Sequence, residues 1–329
     1  MSPKLLAATL LAAMVLAPAT AASAHGGNGG ATSDYRIEVT GFEGDSAGIE
    51  VRPVELGNRM ELVRTSAHEV QILGYEGEPY LRLDADGVFE NVNSPAHFIN
   101  LDRFARQQPP ASARADAEPD WVKLSDGASV RWHDHRTHWM DPTPRQDVRD
   151  DPGVERVIFP ANRVDLVVDG RPVTAIVRVT WLPPPPRTTW LIVSSLVACA
   201  ILGALVLLPS LRGAAPALAT IAAVGAVVGS GSSGFRLVVG LVAVTCGIAG
   251  WVLGNRWLSG AAALVAVVFA VTHFEVFEHQ LLAGWAPAVL QRIGITVALA
   301  FGAAVVGRQV VGELGATRPT EAEPVMAET

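Results

Sequence analysis

The stretch VRWHDHRTHWM, residues 130–140, sets three histidines, an aspartate, two arginines, two tryptophans and a methionine in eleven positions. Imidazole nitrogens are transition-metal ligands, and carboxylate and guanidinium groups pair with one another, so two chemistries compete for this segment. Continued as a strand, it carries His133 and His135 on one face and Trp132, Asp134 and Arg136 on the other. Two imidazoles at i and i+2 grip one ion when a further ligand joins them. His138 and Met140 are the nearby candidates; His97, His68 and His25 are the distant ones. Residues 25–187 include no cysteine, so the donor set is nitrogen with oxygen or thioether. That set suits copper first, with Met140 in its favour, and zinc second. The competing expectation is a structural lattice, in which Asp134 and Arg136 pair, Trp132 and Trp139 pack, and the histidines serve as hydrogen-bond donors and acceptors.

A hydrolytic centre is disfavoured. His133, His135 and His138 approach the H-x-H-x-D-H pattern of metallo-β-lactamase-like hydrolases, but Thr137 stands where that pattern has aspartate. No histidine follows between Met140 and the first apolar segment to complete the ligand set. HExxH, G-x-S-x-G and glycine-rich phosphate loops are absent as well. The expectation is a binding or structural protein, not an enzyme.

The segment's surroundings follow from the chain's organisation. Lys4, the apolar run 5–16, Pro18 and the small residues Ala22 and Ala24 form a secretory signal peptide over 1–24. Cleavage after Ala24 would expose His25, whose amine and imidazole together chelate copper, on a flexible glycine-rich tail over 25–33. From 25 to 187 the chain holds 26 acidic residues against 18 basic, a net of −8. With no basic stripe, nucleic acid is not an expected partner.

Short runs rich in valine, isoleucine, tyrosine and arginine alternate with Gly, Asp and Pro through 34–182, at 35–40, 48–54, 60–64, 69–74, 79–83, 121–124, 129–135, 155–160, 163–168 and 173–181. They predict an all-β extracytoplasmic domain, an antiparallel sandwich of the immunoglobulin or cupredoxin kind. In the last run Ile176 should face away from Val177 and Val179. Residues 105–120 look like a disordered loop, and the prolines of 183–188 form a stiff linker.

Beyond the linker, 189–311 is an α-helical transmembrane region of about five helices, at 190–208, 214–229, 235–254, 258–273 and 286–307, the second being short and rich in Gly and Ala. Five crossings leave 312–329 as a disordered cytoplasmic tail, with Arg212, Arg256, Arg308 and Arg318 inside and Arg187, Arg236 and Arg292 outside. The protein is therefore expected in the cell membrane, multi-pass, with its N-terminal domain outside; an envelope partner is left open. Cys199 and Cys246 fall in the spans and are expected as apolar side chains. After the fourth span, HFEVFEH over 273–279 places Glu275, Glu278 and His279 on one face if the helix continues, a polar helix end or a second metal site.

The stretches LGYEGEPYLRLDADGVFENVNSPAHFIN, 73–100, and WVKLSDGASVRWHDHRTHWM, 121–140, resemble a group of actinobacterial exported, membrane-anchored proteins of unassigned function. That resemblance implies an architecture, a signal peptide with a β-rich outer domain and a helical membrane part. It brings no activity with it.

Overall fold

The computed structural model describes residues 32–316, apart from 103, 232 and 233. The expected signal peptide, His25 and most of the 25–33 tail lie outside the described residues, as does most of the expected 312–329 tail. The chain divides into two compact units. Among the described residues, one comprises those up to Pro185 together with His279–Ala283, and the other comprises Pro186–Glu278 and those from Gly284 onward.

The first unit is built from β1 (Thr32–Ser33), β2 (Tyr35–Glu43), β3 (Ile49–Val54), β4 (Arg59–Arg64), β5 (Val70–Leu73), β6 (Pro79–Asp84), β7 (Gly87–Asn91), α1 (Pro95–Ile99), β8 (Trp121–Ser125), β9 (Ser129–Trp132), α2 (Gln146–Asp150), β10 (Arg156–Val168) and β11 (Arg171–Trp181). Strands β2, β11, β10, β5, β6, β7 and β8 form one antiparallel sheet in that order, and β3, β4 and β9 form another. Alternation explains the pairing. Val173, Ala175, Val177 and Val179 of β11 are buried while Arg178 is exposed and Ile176 half-buried, as a strand with one face on a core requires. Met60 and Leu62 of β4, Ile72 of β5 and Val164 of β10 join them in one core, so both sheets contribute to it.

Local signals account for the turns. Asp169 and Gly170 both take positive φ (46° and 74°) in the two-residue connection that closes the hairpin from Val168 to Arg171, the geometry that twisted hairpins favour. Ser94 caps α1, accepting a hydrogen bond from Ala96 N at 3.1 Å, and Pro95 opens the helix. Residues 105–120 form neither helix nor strand, though turns close there, as from Ala113 N to Pro110 O. Two sequence expectations are corrected. β10 is one strand through Pro160, which sits at a register irregularity where a missing N–H disturbs no ladder bond. Strand β9 ends at Trp132, three residues before the expected end, because Asp134 turns the chain.

The second unit contains α3 (Arg187–Leu207), α4 (Ala215–Ser230), α5 (Phe235–Val252), α6 (Arg256–Thr272) and α7 (Ala288–Ala316). Four apolar helical stretches are long enough to cross a membrane: α3, Pro209–Ser230, α5 and Ala288–Glu313. The second expected span is among them, lengthened by a 3-10 segment at Pro209–Ala214, and the shorter helix is α6 with 17 residues. Helix α6 stops at Thr272, and Phe274–Phe277 form a 3-10 turn, so the face expected to carry Glu275, Glu278 and His279 along a continuing helix does not exist. His279 instead lies in the first unit and bonds Asp34 at 2.8 Å, where β12 (Leu281–Leu282) pairs with β1.

Helices α4 and α7 meet through small residues. A Cβ placed on Gly294 would lie 2.5 Å from Gly225 O and 2.6 Å from Gly229 N, the close backbone approach by which membrane helices associate. Gly294→Leu is expected to separate the two helices. Detergent-solubilised protein carrying it should lose several degrees in thermal unfolding, whereas Gly203→Leu, with open space around its Cβ position, should not.

Candidate metal centre

The site is assembled by a reversal at the end of β9. Trp132 is the last ladder residue, paired with Met60 of β4. Asp134, extended at φ −142°, then caps a 3-10 turn at His135–Thr137, its carboxylate accepting from Arg136 N at 3.0 Å. Thr137 Oγ1 donates to Asp134 O at 2.8 Å, and His138 leaves the turn extended again. The turn therefore gathers side chains at i, i+2 and i+5, whereas a continuing strand would have aimed only the first two at one point.

His133, His135 and His138 converge, each offering one ring nitrogen, with those nitrogens all within 4.8 Å of one another. The ring centroids are 4.5–5.5 Å apart. Metal–nitrogen bonds of about 2.0–2.1 Å separate tetrahedral neighbours by roughly 3.3 Å, so small inward ring rotations would bring the group to bonding distance.

Two of the rings are oriented by the backbone. His133 Nδ1 lies 2.6 Å from Asn58 O, where β4 and its preceding turn run opposite the end of β9, and His135 Nε2 lies 2.9 Å from Asp102 O, just beyond α1. A carbonyl only accepts, so each ring donates there and keeps its other nitrogen as a lone pair: Nε2 of His133 and Nδ1 of His135. Metal-binding histidines are commonly held in this manner. Burial lowers the pKa of His135, opposed by its bond to the Asp102 carbonyl, and so favours the neutral ring that can ligate. His138 is only 2 % exposed and forms part of a cleft of about 250 Å³ whose walls include Thr32, Tyr35, Glu55 and Phe104.

The other expected motif residues make the lattice. Asp134, 1 % exposed, takes Trp132 Nε1 at 3.0 Å and Arg136 Nε and Nη2 at 2.9 and 2.7 Å. Burial pushes its carboxyl up, but the bonds and charge of Arg136 outweigh that, and the net pKa lies below the ordinary aspartate value. Arg136 also donates to Leu73 O at 2.9 Å and lies over the Tyr75 ring at 5.1 Å, while its own carbonyl accepts from Asn162. Tyr75 accepts from His135 N and donates to Asn100. Trp139 packs on Phe159 and donates to Thr143 O. From Trp132 to Arg136, lattice residues and candidate ligands thus alternate along one segment.

The more distant candidates do not join this group. His68 is bound to Asp169 near the hairpin turn, and His97 sits 2.9 Å from Glu90 against the edge of Phe98. Met140 is half-buried two residues beyond His138, and His25 lies outside the described residues. Asn58, Asp102 and Tyr75, which orient the imidazoles, escaped the sequence reading because two of them act through backbone carbonyls, which no residue type signals.

Asp134→Ala and Arg136→Ala should each cost about 3–5 kcal/mol of stability, since each leaves a buried charge without its partner, while His133→Ala and His138→Ala should cost much less. Acid should act the same way: a carboxyl depressed by folding contributes stability that is complete above its unfolded pKa of about 3.9 and is lost as pH falls through the lower folded value. Thermal unfolding of the four variants, and of wild type from pH 5 down to 2, measures both effects.

Comparison with protein-family models, with curated proteins and with solved structures finds no match to this chain.

Proposed function

We propose that this is a multi-pass membrane protein whose outer β domain binds a transition metal, copper first and zinc second, through His133, His135 and His138. The observation that carries this reading is the convergence of three imidazoles, two of them fixed in the ligating tautomer by backbone carbonyls. Three nitrogens with a cleft beside them leave room for a fourth ligand from solvent or a partner, an arrangement both Cu(II) and Zn(II) accept. The general affinity order of divalent ions favours copper. Binding or handling of the ion, not catalysis, is the role proposed, since the sequence carries none of the hydrolase motifs that would pair with the triad. We read the two sheets as a sandwich that holds this site outside the membrane.

Full-length protein in detergent, titrated against a competing chelator, is expected to take up one Cu(II) per chain and Zn(II) more weakly. Copper at a hundredfold excess over Kd should add about 2.7 kcal/mol to the stability of the β domain. Each single His→Ala change should abolish both effects. Uptake should persist at pH 6.5 and fall only below it, because His135 must be protonated against its burial before the site is lost. The sign is the same for the metal-free protein: the unfolded chain binds that proton more readily, so acidification below about pH 6.5 lowers stability. Equal destabilisation by His135→Ala and Arg136→Ala, with no shift on adding copper, would sink the reading in favour of a purely structural lattice.

The orientation rests on chain parity. The β unit precedes α3, and it also contains His279–Ala283 from the connection between α6 and α7. That connection returns to the side of the β domain if all four helices from α3 to α6 cross, and α7 then ends inside the cell. In a background lacking Cys199 and Cys246, Trp285→Cys should react with a membrane-impermeant maleimide on intact cells. Ser210→Cys, between α3 and α4, should react only after permeabilisation; the reverse pattern would overturn this orientation.

A further inference from the structure

At the end of the helical unit where α3 terminates, α5 turns into α6 and α7 finishes, three arginines surround one cavity of about 400 Å³: Arg212, Arg256 and Arg308. This volume is that of a small-ligand site. Arg256 is balanced, its Nη2 lying 3.0 Å from Glu313 Oε1 and its guanidinium 5.1 Å from the Trp257 ring centre. Arg212 and Arg308 have no carboxylate partner among the described residues, and Arg308 Nε is shut off from solvent without a hydrogen bond. The cavity therefore carries about two positive charges in excess. Its remaining wall includes Trp251 and Trp257, and Trp251 is 61 % exposed, as a ring lying against lipid headgroups would be.

A ring of arginines at the end of a membrane helix is ordinarily a solvated anchor that marks the cytoplasmic side. Two features set this group apart. All three arginines contribute to the walls of one concavity, and Arg308 has a buried donor, its Nε, with no hydrogen-bond partner. Guanidinium pairs recognise phosphate through parallel N–H···O bonds, and aromatic walls suit the glycerol and acyl portion of a lipid. We propose that this cavity binds a phosphate-bearing anion, with Arg212 and Arg308 on the phosphate and the two tryptophans flanking it. It is independent of the imidazole site, which lies in the other unit.

The test uses full-length protein in nanodiscs of phosphatidylcholine containing a minor fraction of phosphatidylglycerol. Lipids retained on release into the mass spectrometer should be enriched in phosphatidylglycerol on the order of tenfold over the bulk ratio, and Arg212→Gln/Arg308→Gln should abolish that enrichment. A second arm adds inorganic phosphate to protein in pure phosphatidylcholine discs. A rise in melting temperature for wild type but not for the double variant identifies a soluble phosphate as the ligand; enrichment without that rise identifies the lipid headgroup. Should the double variant fail to fold, wild type alone decides, through its melting temperature in discs with and without phosphatidylglycerol and with and without phosphate. Absence of every one of these effects, or unchanged enrichment in a folded double variant, overturns the proposal.

Discussion

The buried pair of Asp134 and Arg136 is the constraint on which the rest of the β unit's site depends. Moving both ions out of water is expensive, and their attraction offsets that cost only with good geometry and further hydrogen bonds. Both conditions are met. The carboxylate is bonded by two guanidinium nitrogens, an indole N–H and a backbone N–H, and the guanidinium also reaches the carbonyls of Leu73 and Gly74. The pair joins the end of β9 to the end of β5, strands of different sheets. It also dictates local conformation, because a carboxylate that bonds the N–H two residues ahead closes a turn and stops a strand.

The position of the imidazoles follows from that turn. His133 precedes the cap, His135 opens the turn and His138 follows it, so fixing Asp134 fixes all three relative to one another. The lattice and ligand readings of residues 130–140 are thus not exclusive. Asp134, Arg136 and Trp132 hold the backbone, and the histidines between and beyond them are left to face one another. A site supported by buried ionic bonds on one side of the chain can keep neutral rings on the other.

Much of the β architecture was legible in the sequence, since alternation depends on a single buried face, and β11 shows it from Ala175 to Val179. The grouping of His133 with His135 was also legible, though through a strand that ends at Trp132. The cap that ends it is a one-residue signal, aspartate two positions before a residue whose N–H it takes, and such signals are common in strands and loops alike. His138 was recognisable only as a nearby imidazole, because its inclusion depends on the geometry of that turn. The long-range partners were illegible: Asn58 and Asp102 act through carbonyls that every residue possesses, 75 and 33 positions away from the rings they orient. On the helical side, composition marked the apolar segments, but not the break after Thr272, where a 3-10 turn replaces the continuing helix.

That break has a structural consequence for the β unit. A helix continuing past Thr272 would have carried His279 and Leu281 away along its axis. The interruption instead frees His279–Ala283 to join the β unit, where Asp34 accepts from Gln280 N and meets His279 Nδ1, and Leu281 and Leu282 pair with Ser33 and Thr32. Thr32 and Ser33 in turn line the cleft that also contains His138. A two-residue strand has little stability of its own, so β1 is held in place by β12 on one side and by the bond that Tyr35 N donates to Ser33 Oγ on the other. The wall of the cleft beside the third imidazole is therefore ordered by residues that arrive some 250 positions after it in the chain, from the connection between two apolar helices.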